Sequence, residues 1–512
     1  MQVSGQLHEL IQSLSQAEKR YFKVFAGRHT RSRDNKSVRL FDVIAGQVKY
    51  DEAAVRKKFK GEAFVKHLSA EKVYLYRLIM RSLRAFHAGK TVDRQLRDML
   101  FDARILADKG LHHQSARILG KARALGHREE RFLLLLEILE FEREILKETP
   151  PRDAATALDD NMQARIDTLE AIQNVQEYTF LYDRLFLTVR SEFNLRNPKD
   201  EDAFARLMAS PLLHHDAQPA TFRARLYYHM SYALHFQLNR VFDQANHHYA
   251  KVVEAWEAHP GAIADAPARY LKSLGNFLAS CHMTDRFEHF PETLAKLQEV
   301  PIHHPHTALV RFRNGFFYQL LYALSTGEFD QALAVVPQIT EGLERFGHLL
   351  NHSRRLGFHY NLTILYFFVG DHKAALRWLR PILDLPRTEQ RRDIQQFARI
   401  LQLILHYELQ NHSLLDYLFR STYRFLHRRN RLHPFEQAIL RFMRTIAGYP
   451  PGQDLRPDMR RLLDAFAPLH AAGDDGMRIG LQELTCWLQS KVEDLPMQAA
   501  ARRLLRADTS PP

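Results

Sequence analysis

Lys19, Arg20 and Lys23 crowd one short stretch of the chain, and Arg56, Lys57, Lys58 and Lys60 crowd another. Arg28, Arg31 and Arg33 fall in a polar segment between them. Cations at this density can neutralise phosphates by releasing condensed counterions, or can dock an acidic protein. The plainer alternative is a solvated basic surface, because no base-reading helix of known type accompanies the charge. A second array lies far downstream. Arg420, Arg424 and Arg428 are spaced by four and Arg431 follows three later, so a helix would carry all of them on one face. Guanidinium groups so arranged can receive carboxylates or phosphates, or can pair with acids of neighbouring helices. Tyr417, Tyr423 and Phe425 beside them fit core packing better than stacking on a ligand.

The 28 histidines raise the question of a metal. Three groups have suggestive spacing: His348 with His352, the run of His303, His304 and His306, and Cys281 with His282 and His289. Zinc requires three or four ligands in fixed geometry, and neither HExxH nor paired CxxC occurs, so no metal site is expected. Motifs of catalysis are missing as well. No GxGxxG and no GxSxG is present, and Gly89-Lys90-Thr91 has Arg84 where a phosphate loop needs glycine. The reading is of a non-catalytic chain without a cofactor.

What must position these side chains is helical. Apolar residues recur at three and four, as from Val73 to Phe86 and from Ile394 to Tyr407. Ser15 followed by Glu18 makes a capping box, and Asp51, Ser69 and Asp371 are further expected N-caps. Segments beginning VFDQANHHYAKVV, RFEHFPETLAKLQ, EFDQALAVVPQIT, DHKAALRWLRPIL and SLLDYLFRSTYRF align with one another. Their second residues, Phe242, Phe287, Phe329, His372 and Leu414, are 45, 42, 43 and 42 residues apart, and one more step reaches Pro457. A steady period of this length marks helix pairs that bury their apolar faces only against neighbours.

Gly327, Phe329 and Ala332 make a glycine, an aromatic two later and an alanine three after that; Gly370, His372 and Ala375 repeat it, and Phe242 with Ala245 keep two parts. This pattern resembles the tetratricopeptide repeat. The resemblance implies antiparallel helix pairs stacked as an α-solenoid, with the small residue allowing close approach of two helices. The chain departs from the family at Phe290 and Tyr417, which replace the small residue, and at Leu320 and Thr363 in the first helices. Its period near 43 also exceeds the usual ~34 and falls among the ~40–47 of HEAT-like units. A weaker unit surrounds Gly110 to Gly126. Separately, SLSQAEKRYFK at Ser13 to Lys23, with YDEAAVRKKF and LSAEKVYLYRLIMRSLR, resembles the opening of a group of uncharacterised bacterial helical-repeat proteins. That likeness implies an all-helical fold and no particular activity.

Charge separates the parts. Residues 1–90 carry 19 Lys plus Arg against 8 Asp plus Glu, whereas the remaining 422 carry 53 against 51. The net +13 therefore belongs almost wholly to the N-terminal module. Two cysteines, no stretch long enough to span a membrane and a charged N-terminus without an apolar core together predict a cytoplasmic chain without membrane contact. The expected architecture is all-α: a basic helical module over 1–92, able to form a helix-turn-helix-like unit, then a first repeat segment over 93–220. A regular array of helix pairs follows over 221–495, and a C-terminal end over 496–512 closes in a disordered RADTSPP tail; bends are expected in and just after the first repeat segment, near Pro150-Pro151 and Pro211 to Pro219. The leading function is a scaffold or adaptor holding a peptide or protein segment. The alternative is a nucleic-acid-associated regulator working through residues 1–92.

Overall fold

The structure, a computed structural model, describes residues 3–28, 35–86, 91–189, 198–214, 219–384, 391–427, 434–446, 454–471 and 479–508. Among these residues the chain is helical throughout, with 25 α-helices and no strand. In order they are α1 (Val3–Ser13), α2 (Gln16–Arg28), α3 (Lys36–Ala45), α4 (Glu52–Lys58), α5 (Leu68–Phe86), α6 (Val92–Asp108), α7 (His112–Arg128), α8 (Phe132–Glu148) and α9 (Ala154–Val189). There follow α10 (Pro198–Met208), α11 (Phe222–Leu238), α12 (Phe242–Glu257), α13 (Pro260–Asp265), α14 (Pro267–Met283), α15 (Phe290–Glu299), α16 (Pro305–Thr326), α17 (Phe329–Phe346) and α18 (His352–Val369). The last are α19 (His372–Leu383), α20 (Arg392–Glu408), α21 (His412–His427), α22 (Pro434–Ile446), α23 (Arg456–Ala471), α24 (Leu481–Val492) and α25 (Met497–Asp508). None is long and apolar enough to cross a membrane.

Helix starts follow from local chemistry. The Glu18 carboxylate accepts from the Ser15 backbone N–H at 2.8 Å while Ser15 Oγ accepts from the Glu18 N–H, which opens α2. Asp51 accepts from Ala54 N–H at 3.1 Å and Asp371 from Ala374 N–H at 2.9 Å. Ser69 is not a cap: α5 starts one residue before it, directly after a 3-10 turn over Ala63–His67.

Two compact units emerge: Met1–Phe180, His215–Arg225 and Glu257–Ala266 form the first, and Leu181–His214, Leu226–Trp256 and Pro267–Pro512 the second. In the first, α1 to α5 enclose a core of their own, including Leu7, Ile11, Phe22, Phe41, Leu75 and Ile79. Helices α6, α7 and α8 build a separate core around Leu96, Leu119 and Ile138.

In the second unit the expected period becomes geometry. A left-handed residue stands two positions ahead of each repeat segment: Arg240 before Phe242, Asp285 before Phe287, Gly327 before Phe329 and Gly370 before His372. Glycine relieves the strain of positive φ at two of these turns. Gln410 (φ 56°) takes the same role before His412, so the fifth segment is in register at His412 and not at Leu414, two residues later. The second helix then packs on the first, as α15 on α14, α17 on α16, α19 on α18, α21 on α20 and α23 on α22. Ala332 and Ala375 are buried in these pairings, where a small side chain lets backbones approach, and Ala245 is buried on α12. First helices also touch in succession, α14 with α16, α16 with α18, α18 with α20 and α20 with α22.

Helix α18 is buried all round, on Phe358, Leu362, Ile364, Leu365, Phe367 and others. Each such side chain contributes roughly 1.5–3 kcal/mol on leaving water. Its remaining side is closed by the chain's own end, since α25 packs on both α16 and α18. Helix α25 runs from Met497 to Asp508, so Arg506, Ala507 and Asp508 of the expected disordered tail are helical.

Candidate functional site

The cations of the N-terminal module divide into paired and unpaired. Lys23 meets Asp42 at 2.7 Å, and Arg56 meets Glu52 at 2.8 Å while also donating to the Val65 carbonyl. Lys72, buried, takes the other Glu52 oxygen at 2.6 Å, and its ammonium and the Arg56 guanidinium hold the Glu52 carboxyl below its usual range. Lys36–Glu71 and Arg39–Glu62 use two more acids. Lys19, Arg20, Lys57, Lys58 and Lys60 have no acidic partner among the described residues, and all but Lys19 are exposed. Sequence reasoning missed a third set. Arg77, Arg81 and Arg84 share the exposed side of α5 with Tyr74, which is 51% exposed, and they too lack an acidic partner among the described residues.

The downstream arginine stripe is only partly described. Arg420 pairs with Asp416 at 2.7 Å, and Arg424 donates to the Arg420 carbonyl. Both are exposed on α21, the second helix of its pair. Arg31, Arg33, Arg428 and Arg431, and the side chain of Arg28, lie outside the described residues. Leu376, Leu383, Arg399, Gln402, His406, Leu418 and Thr422 line a surface cavity of about 420 Å³ between α19, α20 and α21.

Cys281 is buried, accepts from Asn246 Nδ2 at 3.2 Å, and has its thiol pushed up to about 11 by burial. A thiol so placed is a poor nucleophile at neutral pH. No three His, Cys, Asp or Glu side chains gather as a metal requires among the described residues.

A further group of cations without counter-charge lies on first helices of the second unit. Arg269 Nη2 on α14 donates to the Tyr227 hydroxyl of α11 at 2.8 Å. Asn314 of α16 is buried and donates to the Leu271 carbonyl of α14 at 2.8 Å, while its own oxygen accepts from Arg313. This bond keys Arg313 against α14 beside Lys272. From α18, the Arg354 guanidinium lies 4.2 Å above the Phe317 ring and 5.6 Å from Tyr318. Burial, then the Arg313 and Arg269 cations, hold the Lys272 ammonium below its ordinary value. Burial and then Arg354 do the same to Arg313. These residues escaped notice in the sequence because they are dispersed over 86 positions, from 269 to 354. The signal that finds them is an absence of acids, legible once helix boundaries are known.

The other half of these helices is covered. Gly480 and Glu483 at the start of α24 meet α20 and α18: a side chain at Gly480 would strike Phe397, and Tyr360 donates to Glu483 at 2.5 Å. Burial raises the Glu483 carboxyl, and both burial and that carboxylate raise Tyr360. Trp487 donates to Glu408 at 2.7 Å, and Lys491 meets the same carboxylate at 2.6 Å. On α25, Arg502 donates to the Gly327 carbonyl at 3.0 Å. Comparison with protein-family models, with curated proteins and with solved structures finds no match to this chain.

Proposed function

We propose that the second unit is a tetratricopeptide-like α-solenoid and that the protein is a non-catalytic, cytoplasmic scaffold or adaptor. Its partner is a protein or peptide segment held along the first helices of the pairs. The observation that carries this reading is the unbroken contact of α14, α16, α18, α20 and α22, part of whose common surface already receives a helical hairpin, α24–α25. A surface that seats one helical segment in cis is built for polypeptide, and rigid helices present it preformed. The exposed stripe of Arg269, Lys272 and Asn276 on α14 is the part left open.

A photo-reactive residue at Asn276, on that stripe, tests the reading against one at Glu341, exposed on the second helix α17. In the native cell, Asn276 is expected to cross-link a discrete protein that survives nuclease treatment, and Glu341 is not. Equal labelling at both positions, or none at Asn276, rejects the scaffold.

The unpaired cations of α2, α4 and α5 favour a second reading, contact with nucleic-acid phosphates through residues 1–92.

A further inference from the structure

Helices α14, α16 and α18 comprise 17, 22 and 18 residues and contain no Asp or Glu. At the chain's average of 59 acids in 512 residues, about six or seven would be expected over that length. The same helices carry Arg269, Lys272, Arg311, Arg313, Arg354 and Arg355. Acids are not scarce nearby: Asp330, Glu341 and Glu344 all lie on the second helix α17. The exclusion is confined to these three first helices, since α20 carries Asp393 and Glu408 and α22 carries Glu436.

Placement runs against helix electrostatics. Arg269 is in the first turn of α14, and Arg354 and Arg355 are in the first turn of α18, where the macrodipole is positive and an acid would stabilise. Lys272, Arg313 and Arg354 have no acidic partner among the described residues, although the last two are half-buried. The three helices meet side by side, and the Arg313–Asn314–Leu271 and Arg354–Phe317 contacts hold the cations in one band. Local choices that oppose stability, repeated on adjacent elements, mark a surface kept for a ligand. Burial first, and repulsion from neighbouring cations second, lower the affinity of Lys272 and Arg313 for their own protons.

We infer that this band on α14, α16 and α18 is a binding site for an acidic peptide segment. The inference rests on the scaffold reading and specifies its partner's chemistry. Adjacent helix axes are roughly 8–10 Å apart, so cations on three helices span roughly 16–20 Å, the reach of about five or six extended residues. Guanidinium groups bind carboxylates bidentately, and Arg354 is already oriented by its aromatic seat. Single-stranded nucleic acid fits less well because the rings here are occupied. Phe317 and Tyr318 lie under Arg354, and Tyr227 lies against Tyr182 with centroids 5.5 Å apart.

The test is fluorescence anisotropy of a labelled Glu-rich peptide and its Gln counterpart with the full-length protein. The Glu peptide is expected to bind and the Gln peptide is not. Lys272→Gln and Arg313→Gln should each weaken binding about tenfold or more, while Arg420→Gln on α21 leaves it unchanged. Thermal melting guards against a merely structural effect: Lys272→Gln should melt no lower than the parent, since it removes repulsion. Equal binding of both peptides, no binding of either, or full binding by both band variants overturns the inference. So does tighter binding of a single-stranded oligonucleotide in competition. If the acidic peptide fails while Asn276 still cross-links a protein, the scaffold stands and only the acidic partner falls.

Discussion

His282, near the end of α14, is largely buried, and its Nδ1 has no hydrogen-bond partner. Burial alone draws its pKa down from 6.5 to about 4, and His359 on α18 falls to about 4 through burial and then the Arg355 cation. In an unfolded chain these imidazoles protonate near their ordinary value, but in the fold only near 4. Between pH 6.5 and 4 the unfolded state therefore holds the extra protons, and stability falls as pH falls. His282→Leu removes one such group together with an unsatisfied buried nitrogen. Its urea midpoint should match or exceed the parent's at neutral pH and drop less on acidification to pH 5. A variant as acid-sensitive as the parent would place the titration in other groups.

At the scale of elements, one indole is a central anchor of the C-terminal hairpin. Trp487 is 1% exposed, packs edge-on against Tyr407 and Phe442, and donates to Glu408. Trp487→Ala should lower stability by about 3–5 kcal/mol in urea unfolding. Trp487→Phe should recover most of the packing but not the hydrogen bond, whose net worth is about 1–2 kcal/mol. If both variants unfold with the parent, α24 is not anchored here. This hairpin also marks where sequence reading stops. The turns at Gly327 and Gly370 were legible because positive φ favours glycine, and the starts at Phe242, Phe329 and His372 came out in register. The fifth start was displaced to Leu414 because Gln410, which carries no turn signature, supplies the left-handed residue. Contact of α25 with α16 leaves no local trace, since packing between Arg502 and Gly327 joins residues 175 apart. The candidate site was hidden for a related reason. Locally dense charges such as Lys57-Lys58 stand out in a string of letters, whereas the band of Lys272, Arg313 and Arg354 forms only when helices are laid side by side.

At the scale of the whole molecule, positive charge without an acidic partner has two physical settings. On α14, α16 and α18 it is a narrow, partly buried band; on α1 to α5 it is open surface most of whose described acids are already committed. Asp42, Glu52, Glu62 and Glu71 each serve a cation, and Glu18 and Asp51 serve helix starts. The surplus on Lys57, Lys58, Lys60, Arg77, Arg81 and Arg84 thus faces solvent unscreened by any internal partner. Because α1 to α5 enclose their own core, a fragment of residues 1–92 should fold alone and melt cooperatively by circular dichroism. With five of these cations on phosphates, its affinity for duplex DNA should fall with salt at a log–log slope near about −4.5. Open charges act through released counterions, so such binding should be indifferent to sequence and weaken steeply as salt rises. A folded fragment that ignores DNA at low salt would turn the basic module toward an acidic protein surface, and the second reading would fall with it.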